Sequence, residues 1–148
     1  MKYSKATNYA LHTMVFLTIA PKGKAIGVEP LAKMQDLSPT YLSKILTKLV
    51  KAGLIESTPG AKGGYTLIKR KEDISFLDVI QAVEGQTNLF RCSLEHDSFM
   101  PHDGCLIEQV MQDVETKMQE TLSQKRLIDI ANQIEQTEKN PKNPFFKM

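Results

Sequence analysis

One stretch of this 148-residue chain concentrates the side chains that neutralise phosphate oxygens. Within residues 38–71 the only acidic residue is Glu56. The basic residues of the same stretch are Lys44, Lys48, Lys51, Lys62, Lys69, Arg70 and Lys71. A surface that carries one sign of charge suits a polyanion such as duplex DNA. Any single lysine is equally compatible with an ordinary solvated surface, but the set as a whole favours contact with DNA.

The apolar pattern places these cations on a helix that is followed by two short strands. Ser38 is a good N-cap, Pro39 suits the first helical position, and Gly53 can end the helix. One buried stripe is predicted on this helix, formed by Leu42, Ile45, Leu46, Leu49 and Val50. Strands are expected at residues 54–58 and 65–68, and the glycines of the turn at 59–64 allow a tight tip.

Further helices are expected on both sides of this unit. Ser4 can cap a first helix that runs to about residue 20, and a short helix containing Pro30 carries Leu31 and Met34 inward. A capping box, with Gly85 as the C-terminal residue, predicts another helix after Ser75. Later residues at spacings of four and three predict a long helix packed on another helix, most simply its symmetry mate. That seam is formed by Ile107, Met111, Val114, Met118 and Thr121, and a shorter helix follows with Leu127, Ile128, Ala131 and Ile134.

These elements predict a mainly α fold, a winged helix-turn-helix domain with a small two-stranded antiparallel wing and a long C-terminal dimerisation helix. The expected divisions are residues 1–85 for the DNA-binding domain, 105–137 for the dimerisation helices and 138–148 for a flexible tail. Residues 86–104 between them look irregular.

Charge and composition bound the function further. Residues 1–71 hold twelve Lys and Arg against three Asp and Glu, a balance of +9, whereas residues 72–148 hold seven against fourteen, a balance of −7. No apolar run approaches the roughly 20 residues needed to cross a bilayer, so no membrane partner is expected. The absence of a signal peptide and the presence of only two cysteines favour the cytoplasm. No catalytic motif indicates an enzyme.

The exposed residues near the start of the third helix are the expected base-reading residues. They are Thr40, Tyr41, Ser43 and Lys44, of which Lys44 can donate to guanine acceptors, and the N-cap residue Ser38 is also expected to contact DNA. Lys48 and Lys51 lie further along and suit the phosphate backbone, and Lys62 at the wing tip suits a minor-groove or phosphate contact. The alternative is a winged-helix module that works through protein contacts only, which predicts an exposed apolar patch on the third helix or the wing.

Four segments together resemble the bacterial Rrf-two family of winged-helix transcription regulators: SKATNYALHTMVFLTIA, LSPTYLSKILTKLVKAGLIES, GAKGGYTL and DISFLDVIQAVEG. The resemblance implies a homodimer that reads a pseudo-palindromic operator in double-stranded DNA, usually as a repressor. It places Thr40, Tyr41, Ser43 and Lys44 at recognition positions and residues 60–64, with Gly60 and Gly63, in the wing. Many members have arginine where this chain has Pro59, so operator preference is expected to differ, with Lys62 taking over part of the task.

The resemblance also implies that residues 86–104 form a sensory loop. Members that bind an iron–sulfur cluster usually place three cysteines in this region, whereas this chain has Cys92 and Cys105, with Ser98 at the middle position. Asn8 and Lys33, near positions where a few relatives have another ligand, are not plausible ligands. Other side chains that could complete a cluster site are His96, Asp97, His102 and Asp103. Three hypotheses stay open: a cluster with mixed ligation, a thiol switch, or two ordinary cysteines.

Overall fold

The computed structural model describes residues 2–86, 89–90 and 105–137. These residues form six α-helices and one two-stranded antiparallel sheet, which confirms the predicted mainly helical winged fold. The elements in chain order are α1 Lys5–Ile19, α2 Val28–Met34, α3 Pro39–Lys51, β1 Ile55–Thr58, β2 Gly64–Leu67, a 3₁₀ turn Lys71–Asp73, α4 Phe76–Glu84, α5 Leu106–Gln124 and α6 Leu127–Gln136. Cys92, the rest of the expected sensory loop other than residues 86, 89 and 90, and the expected tail at 138–148 lie outside the described residues.

Local side-chain caps start three of the helices at the positions that the sequence predicts. The hydroxyl of Ser4 accepts a hydrogen bond from Thr7 N–H, and that of Ser38 accepts one from Tyr41 N–H at 3.1 Å. At α4 the capping box is complete, because Asp78 N–H donates to Ser75 Oγ and Ser75 N–H donates to Asp78 Oδ2, both at 3.0 Å. Each cap contributes about 1 kcal/mol to helix stability.

The hydrophobic core lies between α1, α3, α4 and α6. Its fully buried members include Met14, Leu31, Leu42, Leu46, Leu49, Ile55, Ile74, Val79 and Leu127. Two predicted core residues are exposed instead, Met34 at 38% and Val50 at 36% of their surface. Met34 is the last residue of a seven-residue helix. Val50 lies about 80° around the helix from Leu42, at the edge of the stripe, because successive residues are about 100° apart.

The wing has a third segment beside its two strands. Ile55 pairs with Leu67 and Thr58 with Gly64 in the antiparallel ladder, while Ile26, just before α2, pairs with Tyr65 through two backbone hydrogen bonds of 3.1 and 2.8 Å. This pairing explains Gly64, whose φ is +142° and where a Cβ would lie 2.5 Å from the carbonyl carbon of Ile26. The wing is therefore joined to the turn between α1 and α2.

Helix α6 packs against α1 and against the start of α4. Leu127 is fully buried in the core described above, and its N–H donates to Ile74 O at 3.1 Å. Beside it, Ser75 and Arg126 form a β-bridge, and Phe76 N–H donates to Lys125 O at 2.8 Å. The two helices of residues 105–137, which the sequence groups together for dimerisation, thus have different surroundings, and the core continues past the expected domain boundary at residue 85.

The two halves of α5 differ in the same way. In the second half Glu115 is buried and accepts from Leu89 N–H at 3.2 Å, and Tyr3 Oη donates to the sulfur of Met118 at 3.8 Å. In the first half four apolar side chains are half or more exposed: Leu106 at 50%, Ile107 at 59%, Val110 at 61% and Val114 at 59%. None of the helices in the described ranges is long and apolar enough to cross a membrane.

Candidate nucleic-acid interface

The first two turns of α3 present polar side chains to solvent on a helix whose start is fixed. Thr40, Tyr41 and Lys44 are exposed, whereas Ser43 is half-buried. Because the Ser38 hydroxyl accepts from the backbone, its own proton remains available for a phosphate or base acceptor. The N-terminus of a helix also carries a partial positive charge that attracts phosphate. The predicted base-reading residues therefore occupy one capped helix start.

Tyr41 is held by a residue that the sequence did not point to. The ring of Tyr9 on α1 meets the ring of Tyr41 edge to face, with centroids 6.0 Å apart and planes at 89°. Such pairs contribute about 0.5–1.5 kcal/mol beyond the area that they bury. Tyr9 therefore restricts where the Tyr41 hydroxyl can point, and no local sequence pattern marks a contact between residues so far apart.

Lys48 occupies a different environment from Lys44 and Lys51. Its ammonium lies 3.5 Å from the carbonyl oxygen of Val83, in the last turn of α4. In the next residue, Glu84, one carboxylate oxygen accepts from Ser4 N–H at 2.7 Å, Ser4 Oγ at 2.9 Å and Thr7 Oγ1 at 2.6 Å. The hydrogen bond from Thr7, with those from Ser4 and the charge of Lys48, outweighs burial and lowers the pKa of Glu84 below its ordinary value. Glu84 thus joins the end of α4 to the start of α1, and Lys48 joins α3 to the same end of α4.

The wing has an exposed tip and a root held by ion pairs. At the tip Lys62 is exposed, and a Cβ on Gly63 would lie 2.0 Å from Thr58 O, so the tight turn requires glycine there. At the root Lys69 Nζ lies 3.1 Å from Asp78 Oδ2. Burial raises the pKa of Asp78, but hydrogen bonds from Ser75 N–H and Lys69, with the charge of Lys69, outweigh it and hold that pKa below its usual value.

Arg70 is also paired, since its Nε lies 3.6 Å from Asp73 and 3.8 Å from Glu72. Two of the seven cations counted in the sequence, Lys69 and Arg70, thus form salt bridges with acidic side chains in the described part of the chain. Lys44, Lys51 and Lys62 are exposed on the helix and the wing tip. The exposed apolar side chains near this surface are Val50 in the last turn of α3 and Ile68 just after β2.

Cys105 is buried and forms the N-cap of α5. Its sulfur accepts from Glu108 N–H at 3.5 Å. No group of three or more His, Cys, Asp or Glu side chains that could hold a metal ion occurs among the described residues. The described part of the chain therefore does not by itself fit an iron–sulfur cluster, and Cys92 lies outside it.

Comparison with known proteins adds an independent line of support. Residues 3–133 match the model of the Rrf2 family, described as iron-dependent transcriptional regulators. YwgB of Bacillus subtilis, provisionally named an HTH-type transcriptional regulator, is 33% identical over 135 residues, which cover 90% of this chain and 86% of YwgB. The HTH-type transcriptional regulator NsrR of Halalkalibacterium halodurans is 29% identical over 131 residues, covering 88% and 90% of the two chains.

A solved structure agrees with these relatives. CymR, described as the global cysteine regulator of Bacillus subtilis, superimposes with a TM-score of 0.70 at 28% identity, covering 89% of this chain and 97% of CymR. The family and the relatives named above are all described as regulators. The chain belongs to the Rrf2 (Rrf-two) family and is a DNA-binding transcription regulator.

Proposed function

We propose that this regulator is a cytoplasmic homodimer that binds a pseudo-palindromic operator as a repressor. In each protomer α3 enters the major groove and the wing tip approaches the adjacent minor groove. The observation that carries the proposal is the capped start of α3, where Thr40, Tyr41 and Lys44 are exposed together. Thr40, Tyr41, Ser43 and Lys44 read base edges. Ser38, Lys48, Lys51 and the wing residues Gly60, Lys62 and Gly63 contact the backbone or the minor groove.

The dimer interface is proposed on the first half of α5. Leu106, Ile107, Val110 and Val114 expose apolar surface along one helix, and burying such a side chain contributes about 1.5–3 kcal/mol. The double variant Ile107→Glu, Val114→Glu is expected to sediment as a monomer, and Gln112→Glu, on the same helix, is the matched control. If the double variant sediments like the wild type, this surface is not the dimer interface.

The operator is tested by selecting duplexes from a random library with the purified protein and then titrating salt. We expect a two-fold symmetric motif, because each protomer of a symmetric dimer reads one half-site. Six to ten neutralised phosphates lower the affinity by about 10³–10⁵ between 50 and 200 mM salt. An asymmetric motif would contradict the dimer, and a nearly flat salt titration would favour the protein-interaction alternative.

We further propose that a redox or iron signal acts through Cys92 and Cys105. The support is the position of Cys105 at the start of α5, beside the proposed dimer surface, and the description of the family as iron-dependent. The experiment compares DNA binding by the wild type and by Cys92→Ser, Cys105→Ser under reducing, oxidising and iron-loaded conditions. Iron content and visible absorption of protein purified without oxygen separate a metal site from a thiol switch. A wild type that responds to none of these conditions would make the cysteines structural only.

A further inference from the structure

A cationic cleft lies between residues 20–25, in the turn that follows α1, and the wing. Its volume is about 760 Å³, and the residues that line it include Leu17, Tyr65 and Leu67. Among the described residues that line it, Glu72 is the only acid. The basic residues that line it are Lys22, Lys24, Lys62, Lys69, Arg70 and Lys71.

The turn that carries Lys22 and Lys24 is tied to β2 through the backbone. Lys24 N–H donates to Pro21 O at 3.0 Å, which closes the turn, and Ile26 two residues later is paired with Tyr65 of β2. The backbone that carries these two lysines is thus held beside the wing before any ligand binds. A preformed arrangement of this kind lowers the ordering cost of binding.

The charges in the cleft are only partly balanced within the protein. Lys69 is paired with Asp78, and Arg70 with Glu72 and Asp73, all at the root of the wing. Lys22, Lys24, Lys62 and Lys71 are exposed, and the salt bridges found among the described residues involve none of them. Four ammonium groups around one cleft repel one another unless an anion lies between them.

We propose that this cleft binds the phosphate backbone of the operator on the outer side of the wing, beyond the half-site that α3 reads. This inference rests on the proposed function. Lys62 belongs both to the wing tip and to the cleft, so a duplex that contacts the tip continues toward Lys22 and Lys24. A polyanion carrying one charge per about 1.7 Å of helix axis suits a row of ammonium groups better than one small anion does.

The test compares Lys22→Gln, Lys24→Gln with the wild type on two duplexes that share the selected operator. The short duplex ends at the base pairs that the two wing tips contact. The long duplex extends about one helical turn beyond each of these ends. On the long duplex, loss of two phosphate contacts per protomer is expected to reduce the salt slope by about 1.8 for each protomer. Per protomer, the wild type's advantage then shrinks about tenfold between 50 and 200 mM salt. On the short duplex the two proteins are expected to bind alike.

The matched control is Lys117→Gln, Lys125→Gln, which removes the same charge from α5 and the residue that follows it and is expected to bind both duplexes like the wild type. If Lys22→Gln, Lys24→Gln loses the same affinity on both duplexes, its effect is long-range attraction and the proposal is overturned. An unchanged affinity on both duplexes would also overturn it. Titration with inorganic phosphate, followed by NMR of the same variants, distinguishes a small-anion site. Phosphate binding that requires Lys22 and Lys24, with DNA binding unchanged, would also overturn it. If the wild type itself binds no operator, the proposed function fails rather than this inference alone.

Discussion

The carboxylate of Glu84 holds the first turn of α1 through three hydrogen bonds from Ser4 and Thr7. A negative charge is unfavourable at the C-terminal end of α4 but favourable at the N-terminus of α1, where the N–H groups point toward it. Since α1 also carries Tyr9, which contacts Tyr41, this single side chain contributes to the position of the recognition surface.

Replacing Glu84 by Gln is expected to remove a pH-dependent part of the stability. The lowered pKa of Glu84 means that the folded state stabilises the ionised carboxylate more than the unfolded state does. That stabilisation is present above the pKa of the unfolded chain and is lost as pH falls through the lowered, folded-state pKa. Urea unfolding between about pH 7 and pH 3 should therefore show a smaller acid loss in Glu84→Gln than in the wild type. The exposed Glu135→Gln is the control, and identical pH profiles for wild type and Glu84→Gln would contradict the assignment.

Two lysines of α3 are expected to respond differently to substitution by alanine. Lys44 is exposed near the helix start, so Lys44→Ala is expected to relax base preference at one operator position and to cost about 1–3 kcal/mol there. Lys48 lies further along the helix and suits the phosphate backbone, so Lys48→Ala is expected to weaken all sequences about equally. A panel of single-base operator variants measures both effects. Uniform losses for both proteins would show that Lys44 does not read a base.

At the scale of elements, the features that depend on residues close together in the sequence could be predicted. The caps at Ser38 and Ser75 involve partners three residues away, so the sequence reveals them. The pairing of Ile26 with Tyr65 joins residues far apart in the chain through the backbone, and side-chain patterns do not record it. For the same reason the tie from Glu84 to α1 could not be foreseen, since the packing of helices decides which distant groups meet.

The element-scale prediction concerns the two glycines of the wing with positive φ. Gly64→Ala places a Cβ 2.5 Å from the backbone of Ile26, whereas a Cβ on Gly60, whose φ is +101°, meets nothing within 4 Å. Both substitutions strain the backbone, at about 1–3 kcal/mol, but only the first also collides with a neighbouring segment. Urea unfolding should show a larger loss for Gly64→Ala than for Gly60→Ala. Equal losses would mean that the contact with Ile26 relaxes freely.

At the scale of the whole molecule, the winged domain is completed by a helix that follows the proposed dimer helix. The sequence predicts α6 itself but groups it with the dimerisation helices, because its apolar face would suit a partner protomer as well as the core. Leu127 is fully buried beside Ile74 and Val79, whereas Val110 on α5 is exposed.

Leu127→Ala is accordingly expected to destabilise the protein by about 2–5 kcal/mol, as for other buried leucines. Gln133→Ala, at an exposed position of α6, is expected to change the free energy of unfolding little and serves as the comparison. A fragment of residues 1–85, which lacks α6, is expected to be less stable than the full chain in the same urea titration. A fragment with the stability of the full chain would show that α6 is dispensable to the core.

The unequal anchoring of α5 has a mechanical consequence. Glu115 in the middle of the helix accepts from Leu89 N–H, and Met118 in its second half accepts from Tyr3 Oη, while Leu106 at its first residue is about 14 Å from Glu115, at 1.5 Å per residue. A tilt of about 10° around Glu115 moves the end at Leu106 by roughly 2 Å. In a symmetric dimer joined through the first halves of the two α5 helices, that movement displaces both recognition helices. The displacement is a large part of the distance between adjacent base pairs, which is about 3.4 Å. A signal at Cys105 would then change which operator fits, so duplexes lengthened or shortened by one base pair at the centre would gauge its effect.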